Sequence, residues 1–563
     1  MSKFFKKALS FVVALATAVC VCASCGGNNG GNSGNSGGGK ESQTIDEGKT
    51  TVRVFNYKAG YGDTWLDEIK NAFEAKYADT SFEEGKKGVQ IIPDSRMGDM
   101  SAAQASASVY DVLFLENEDL VAYRNGGAVE DLTDIVTATG IDGKTIESKL
   151  NDVQKEFFGN KEGKYDALPR HYGTTGIIYN IDLFEEKSLY IGKNGGYVGK
   201  EGKSAGLDGI EGTDDDGLPT TYAEFFDLLD EMVVRNVVPL CWNGKYYRHY
   251  LGFFFDSLVA DYEGVDQMML NYNYSGTAKD LIKIGADGKA VINGGVPETE
   301  SVAITTANGC ELARQAGKYY AMDFMHKIIS DSDYYYKDSF DGSFTHTLSE
   351  QKYLQNGYTN QEKKIAMLLE GPWWQNEASA IFRNMAASNP AYSMNSRRFG
   401  VMPLPKATSE KATEGKNVYS DDLNTFVCLK KDSKRSAGIT DAAKKFIQYC
   451  TSDEALVMFT KSTGAPLAYS GYMTETDKAT LSTFSKSLID HVENSDMYYR
   501  VSLNSFYNTN IDRLSSGNIY ETIIDGEAYV TPAYGIYETS DEVSAIGYFE
   551  NYYKTFKTYE FWK

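Results

Sequence analysis

The chain is poor in the residues that most hydrolytic and metal chemistry uses. Among 563 residues there are five histidines, and neither the HExxH pattern of zinc peptidases nor a P-loop occurs. Cysteine is scarce as well. Three of the seven fall in the first 25 residues (Cys20, Cys22, Cys25), and Cys241, Cys310, Cys428 and Cys450 are scattered through the rest. With no CxxC pair and no adjacent histidine, that spacing argues against zinc, and no metal-ligand set is assigned. Apolar neighbours such as Phe426-Val427-Cys428-Leu429 predict buried free thiols, although an exported protein is permitted a disulfide. Beyond residue 25 no run is long and apolar enough to span a bilayer. Positive charge is in deficit: the formal net charge is −22, and −25 once the three lysines of residues 1–24 are removed. That balance argues against nucleic acid as a partner, and an anionic surface would repel the chain.

What is present begins at the N-terminus. Lys3, Lys6 and Lys7 precede a 14-residue apolar run, Ala8–Val21, shorter than the roughly 18 residues a bilayer span wants. Cys22-Ala23-Ser24-Cys25 then opens onto Gly26-Gly27-Asn28-Asn29, which reads as a secretory signal (1–24) removed on export. The cut site resembles a bacterial lipobox, with Cys22 where leucine is usual. The resemblance implies that Cys25 becomes the acylated first residue of a lipoprotein on the extracellular face of the cell membrane. Its alternative is an ordinary signal peptide releasing a soluble protein.

Residues 25–47 are rich in Gly, Asn and Ser and predict a flexible leash. Thr50-Thr51-Val52-Arg53-Val54-Phe55 has the β-branched character of a strand. Asp63 is placed to cap a helix on which Trp65, Ile69, Phe73 and Tyr77 recur every four residues, a core stripe. Val89-Gln90-Ile91-Ile92 and Tyr110–Leu115 predict two further strands, and the alternation predicts a parallel sheet covered by helices. Ligands of such sheets bind beyond the carboxyl ends of the strands, here Asn56–Gly62 and Glu116–Glu118. Tyrosine is abundant at 40 residues; its flat face and polar tip suit polyhydroxylated ligands, and ordinary cores equally.

A set of motifs then arrives in a familiar order. Val54-Phe55-Asn56-Tyr57, Asp111-Val112-Leu113-Phe114 and Gly126–Leu132 are followed by Ala167-Leu168-Pro169 and Gly176–Phe184. Leu218-Pro219-Thr220-Thr221-Tyr222-Ala223-Glu224-Phe225-Phe226, Ile365–Trp373 and Phe399–Pro405 come next, before a helix at Ala442–Ile447. Over about residues 50–470 this resembles the family 1 extracellular solute-binding proteins, the maltose-binding-protein-like receptors of sugar ABC importers. The resemblance implies an α/β, two-lobed periplasmic-binding-protein fold (type II) with a hinge and a helical C-terminal tail. Lobe one would comprise 48–167 plus 424–468, and lobe two 168–423 plus 469–563. It further implies no cofactor, no catalytic residues, a monomer, a sugar or oligosaccharide ligand and a membrane permease as partner.

A sugar site wants aromatic platforms beside carboxylates and amides. Trp373-Trp374 follows Gly371-Pro372 at a strand end, where strand alternation would send one ring to the ligand, for which Trp373 is favoured, and the other to the core. Trp242, Asn243 and Tyr246 follow the strand Val238–Cys241; core packing is the alternative for Trp242. Tyr57 and Tyr61 occupy the first strand-end loop, and Glu116 and Asn117 another, with a solvated loop as the alternative. Arg170 follows the lobe crossing and would clamp an acidic sugar or pair with Glu116. Asp421 and Asp422 precede the return crossing, to hold hydroxyls or a cation or to cap a turn. The loop Gly206–Gly217 is rich in carboxylates but lacks EF-hand spacing, leaving a polar loop or a calcium site.

The function the resemblance implies is capture of a carbohydrate by hinge closure for an ABC importer. Two rivals stand beside it. One is an exported glycan-cleaving enzyme using two of Glu116, Glu370, Asp421 and Asp422, a pairing whose separation sequence does not supply. The other is a sensing or adhesion receptor without transport.

Overall fold

The computed structural model describes residues 44–116, 120–160, 162–421, 425–500, 504–514 and 518–563. The signal with Cys25, most of the linker, Asn117 and Asp422 lie outside the described residues. The chain folds from Thr50, where β1 (Thr50–Tyr57) is buried along nearly its whole length. Asp63 takes the N-cap position of α1 (Thr64–Lys76), which turns Trp65, Ile69 and Phe73 inward. β2 (Val89–Arg96) and β3 (Val112–Leu115) flank β1 in parallel, the arrangement a helical crossover imposes. After α2 (Asp152–Phe158) the chain leaves this lobe through β4 (Leu168–Pro169). Pro169 is tolerated there because β4 is the edge strand.

The second lobe starts with β5 (Gly176–Asn180). Thr221, accepting from the Glu224 N–H, then caps α3 (Tyr222–Val234). β6 (Val238–Cys241) is followed by α4 (Tyr247–Glu263), α5 (Val265–Asn273), α6 (Ala316–Ser330) and α7 (His346–Gln355). β7 (Ile365–Glu370), α8 (Trp374–Glu377) and β8 (Phe399–Met402) complete the frame. The sheet order is β8-β5-β7-β6, with β7 parallel to β6 and antiparallel to β5. Every residue of β7 is buried, as in a central strand covered on both faces.

The return runs through β9 (Val418–Asp421) into β10 (Phe426–Leu429), which inserts between β3 and β4 and is antiparallel to both. The first sheet is therefore mixed rather than parallel throughout, because this strand enters from the opposite lobe. The start of β9 is pinned by the buried Asp261 carboxylate, whose Oδ1 accepts from Lys406 Nζ (2.8 Å), Asn417 Nδ2 (2.9 Å) and the Val418 N–H (3.1 Å). α9 (Ala437–Cys450) and α10 (Asp453–Thr463) cover α1, with Phe446 5.1 Å from Phe73 and Phe459 5.0 Å from Trp65.

In the tail, α11 (Thr483–Glu493) packs on β8, β11 (Asp496–Tyr499) pairs in parallel with β9, and α12 (Ala545–Phe556) lies on α6. β11 touches both lobes. Its consecutive tyrosines face opposite ways, as strand geometry demands. The Tyr498 hydroxyl is 3.2 Å from that of Tyr272 on α5, while the Tyr499 ring lies 4.8 Å from Phe157 on α2 and its hydroxyl accepts from Gln154 Nε2 at 3.1 Å.

Cys241, Cys428 and Cys450 are buried free thiols whose pKa burial pushes up, and Cys310 is a half-buried one. In the acidic loop, Asp215 Oδ2 accepts from the Leu207 and Asp208 N–H groups (2.6 and 3.0 Å), and Asp216 Oδ2 from the Gly212 N–H (2.7 Å). These carboxylates hold the loop's own backbone. Among the described residues no helix is long and apolar enough to cross a membrane.

Candidate ligand-binding cleft

The carboxyl ends of β1 and β3 in one lobe, and of β6 and β7 in the other, carry the loops at the lobe boundary. On the first side Tyr57 is half-buried, and burial, followed by the charges of Glu116 and Asp99, pushes its hydroxyl up to about 12. Glu116 is buried with Oε2 3.2 Å from His171 Nε2; burial lowers the pKa of that imidazole, so the carboxylate faces a neutral ring. Arg170 is 2% exposed and donates from Nη2 to Asn56 Oδ1 at 2.8 Å, with its guanidinium 5.7 Å from both the Trp65 and Phe114 rings. Its Nε and Nη1 have no protein partner. The buried Tyr61 ring stands 4.4 Å from His171 and 6.3 Å from Trp373. Asp421, buried at the end of β9, acts through space on Tyr61 and Tyr172.

On the second side Pro372 ends the strand, and the two tryptophans begin a helical turn instead of continuing β7. Alternation across a strand is thus not what separates them. Trp374 is fully buried among Tyr353, Phe382, Phe399 and Phe484, at ring distances of 5.8, 6.0, 5.1 and 5.4 Å. Trp373 is half-buried and folds back over Gly371, where a side chain would collide with its ring. It also meets the opposite lobe: a Cβ on Gly60 would stand 2.7 Å from Trp373 Cδ1, and Asn376 Nδ2 donates to the Gly60 carbonyl at 2.6 Å.

Trp242 is fully buried against Tyr335 (5.0 Å) and Phe340 (5.4 Å). Asn243 is fully buried too, and its Oδ1 accepts from the Tyr246 N–H at 3.1 Å, fixing the start of α4. Tyr246 is 41% exposed. The structure thus brings Tyr57, Tyr61, Glu116, Arg170, Asp421 and Trp373 to the lobe boundary, while Trp242, Asn243 and Trp374 pack within the second lobe.

Three residues beside Trp373 carry no sequence motif. Glu350 on α7 is fully buried and makes no hydrogen bond, with Glu377 close but outside bonding geometry, Glu377 on α8 has Oε1 3.4 Å from His346 Nε2, and Tyr250 on α4 stands near Glu370. Glu370, 1% exposed, accepts the Gly371 N–H on Oε1 at 2.9 Å and leaves Oε2 without a hydrogen bond, Tyr250 and Trp373 standing close but outside bonding geometry. Burial first, and then the charge of Glu377, raises the pKa of both Glu370 and Glu350, so these groups tend to hold protons and can donate as well as accept. Only Glu370, at the strand end of the Gly-Pro-Trp motif, carried a signal in the sequence.

A family model of bacterial extracellular solute-binding proteins matches residues 69–471. The chain belongs to that family. A search of curated proteins found no match. Among solved structures, this solute-binding protein is similar to apo RafE from Streptococcus pneumoniae, at 14% identity and TM-score 0.51 over 91% of this chain and 100% of that one. A chitin oligosaccharide binding protein gives 15% identity and TM-score 0.51 over 89% and 99%. The bacterial solute receptor AcbH gives 13% and 0.51 over 91% and 99%. At such identities the shared property is the fold: two lobes, here meeting at Trp373 and Gly60. The family places the protein outside the cytoplasm, extracellular or periplasmic, as a binder of solutes.

Proposed function

We propose that this solute-binding protein captures a carbohydrate between its lobes and delivers it to an ABC importer, without cleaving it. The observation that carries the reading is Trp373: a half-buried indole at the lobe boundary, with the Glu370 carboxyl behind it and Tyr57 and Glu116 on the facing lobe. An aromatic face flanked by carboxylates and hydroxyls matches a sugar's apolar ring face and hydroxyl rim. Two of the fold relatives point the same way, one a chitin oligosaccharide binder, the other a receptor with an exclusive preference for β-D-galactopyranose. Tyr57, Tyr61, Glu116, Arg170, Trp373 and Asp421 are the proposed contacts, joined by Glu370 and Tyr250. Acylation at Cys25 would hold the receptor at the membrane beside its permease.

The test is a thermal-shift screen of residues 26–563 against mono- and oligosaccharides, with each hit recovered and analysed for cleavage. A ligand at 100 times its Kd should stabilise the protein by about 2.7 kcal/mol. Saturable stabilisation with intact sugar supports the reading; cleaved sugar, or no response to any saccharide, overturns it. For the anchor, Cys25→Ser should move the protein from the membrane fraction to the medium.

A further inference from the structure

Beside the hinge lies a cavity of about 390 Å³ that does not include Tyr57, Tyr61, Glu116 or Trp373 among its walls. Val401, Leu467, Phe484, Leu488 and Met497 make it mainly apolar. An apolar cavity of about 150 Å³ already holds benzene, and small-molecule sites run from about 300 to 1,000 Å³. Two buried polar groups in this wall have no hydrogen-bond partner: the hydroxyl of Tyr419, which is 3% exposed, and His491 Nε2. The rings of these residues meet edge to face at 5.1 Å, and the Leu404 backbone N–H acts on the Tyr419 hydroxyl without reaching bonding geometry. Unpaired polar groups in an apolar wall cost free energy unless something fills them.

The charges lining the cavity are accounted for. Lys416 pairs with Asp496 at 2.7 Å and Glu493 with Lys478 at 2.9 Å, burial pushes the Glu370 carboxyl toward its neutral form, and burial holds His491 neutral with its pKa down to about 4. Among the described residues no uncompensated charge is left there to hold an ion.

We propose that this cavity is a second binding site, distinct from the interlobe cleft, for a neutral, mainly apolar molecule of bicyclic size carrying one hydroxyl or carbonyl group, which bonds to Tyr419 and His491. The site does not depend on which solute the cleft takes. Its walls include residues of three segments that join the lobes: Tyr172 and Thr174 of the first crossing, Tyr419 of the return, and Leu467 and Tyr469–Met473 of the third. Glu370, Gly371 and Pro372 form a partition shared with the cleft. An occupant therefore touches the segments that bend on closure, and whatever factor it imposes on solute affinity, the solute imposes on it.

The probe is 6-fluoro-2-naphthol, followed by its ¹⁹F line width on titration with residues 26–563. Saturable broadening is expected, with the anion 6-fluoro-2-naphthoate binding at least tenfold more weakly. Leu488→Trp and Val401→Phe, which fill the cavity from α11 and β8, should each weaken naphthol binding at least tenfold while unfolding remains cooperative. No broadening up to the solubility limit, naphthoate binding as tightly as naphthol, or binding intact in both filled variants each overturns the proposal. Should both filled variants fail to fold, the naphthol–naphthoate comparison still decides it.

Discussion

Trp373 and Trp374 are neighbours in sequence with different surroundings, and the difference gives a paired experiment. Trp374 fills a pocket of four aromatic rings, so Trp374→Ala leaves a large cavity and should cost about 3–5 kcal/mol of stability, measured by urea unfolding. Trp373 is half-buried at the lobe boundary; Trp373→Ala should cost less stability and weaken carbohydrate binding at least tenfold, about 1.4 kcal/mol. Equal loss of stability in the two variants, with binding kept by Trp373→Ala, would remove Trp373 from the site. The sequence pointed to this pair because tryptophan is rare and the Gly-Pro before it ends a strand. It offered Trp242 as a ligand contact with core packing as the alternative: a ring after a strand end can turn to cleft or core, and here it packs on Tyr335 and Phe340, about 95 residues away.

At the scale of elements, α4, α5 and α6 are tied by a buried polar chain. Lys318 on α6 is 1% exposed, and its Nζ donates to Asn271 Oδ1 on α5 (2.9 Å) and to the Leu312 carbonyl (3.1 Å). Asn271 Nδ2 donates to Gln315, whose Nε2 reaches Glu263 at the end of α4 (2.9 and 3.3 Å). Burial pushes the Lys318 ammonium pKa down to about 7, against 10.5 in the unfolded chain. Between those values the folded state binds one proton fewer. This group's contribution is thus fully present above 10.5 and is lost as pH falls toward 7, with a slope of at most about 1.4 kcal/mol per pH unit. Urea midpoints from pH 7 to 9.5 should rise in the wild type relative to Lys318→Met; parallel profiles would show that Lys318 titrates normally. None of this network was legible in the sequence, where its members look like scattered surface residues. By contrast β1, α1, β3 and β7 were legible because local pattern and burial agree in each. The antiparallel entry of β10 was not, since strand direction is decided by where the chain re-enters.

For the whole molecule, the order of motifs along the chain identified the two-lobed architecture and named two crossings between the lobes, while the side-chain contacts that hold one lobe to the other escaped sequence reading. β11, only four residues long, holds Tyr272 of the second lobe with one tyrosine and Phe157 of the first with the next. At the opposite boundary the lobes touch through Gly60, which Trp373 and Asn376 both reach. Those contacts exist only while the lobes are together, so they add to the closed form without adding to either lobe's own stability. Ligand capture by closure requires a solute that prefers the closed arrangement, and a side chain on Gly60 would penalise that arrangement alone. Gly60→Val, whose Cβ would fall 2.7 Å from Trp373 Cδ1, should therefore shift the equilibrium toward the open form. Carbohydrate affinity is expected to fall at least tenfold, while the urea midpoint of the free protein changes little. Small-angle scattering should show the radius of gyration shrinking on saccharide addition in the wild type, and in the variant only at correspondingly higher concentration. A Gly60→Val protein that binds and contracts as the wild type does would mean that capture does not require this meeting of the lobes.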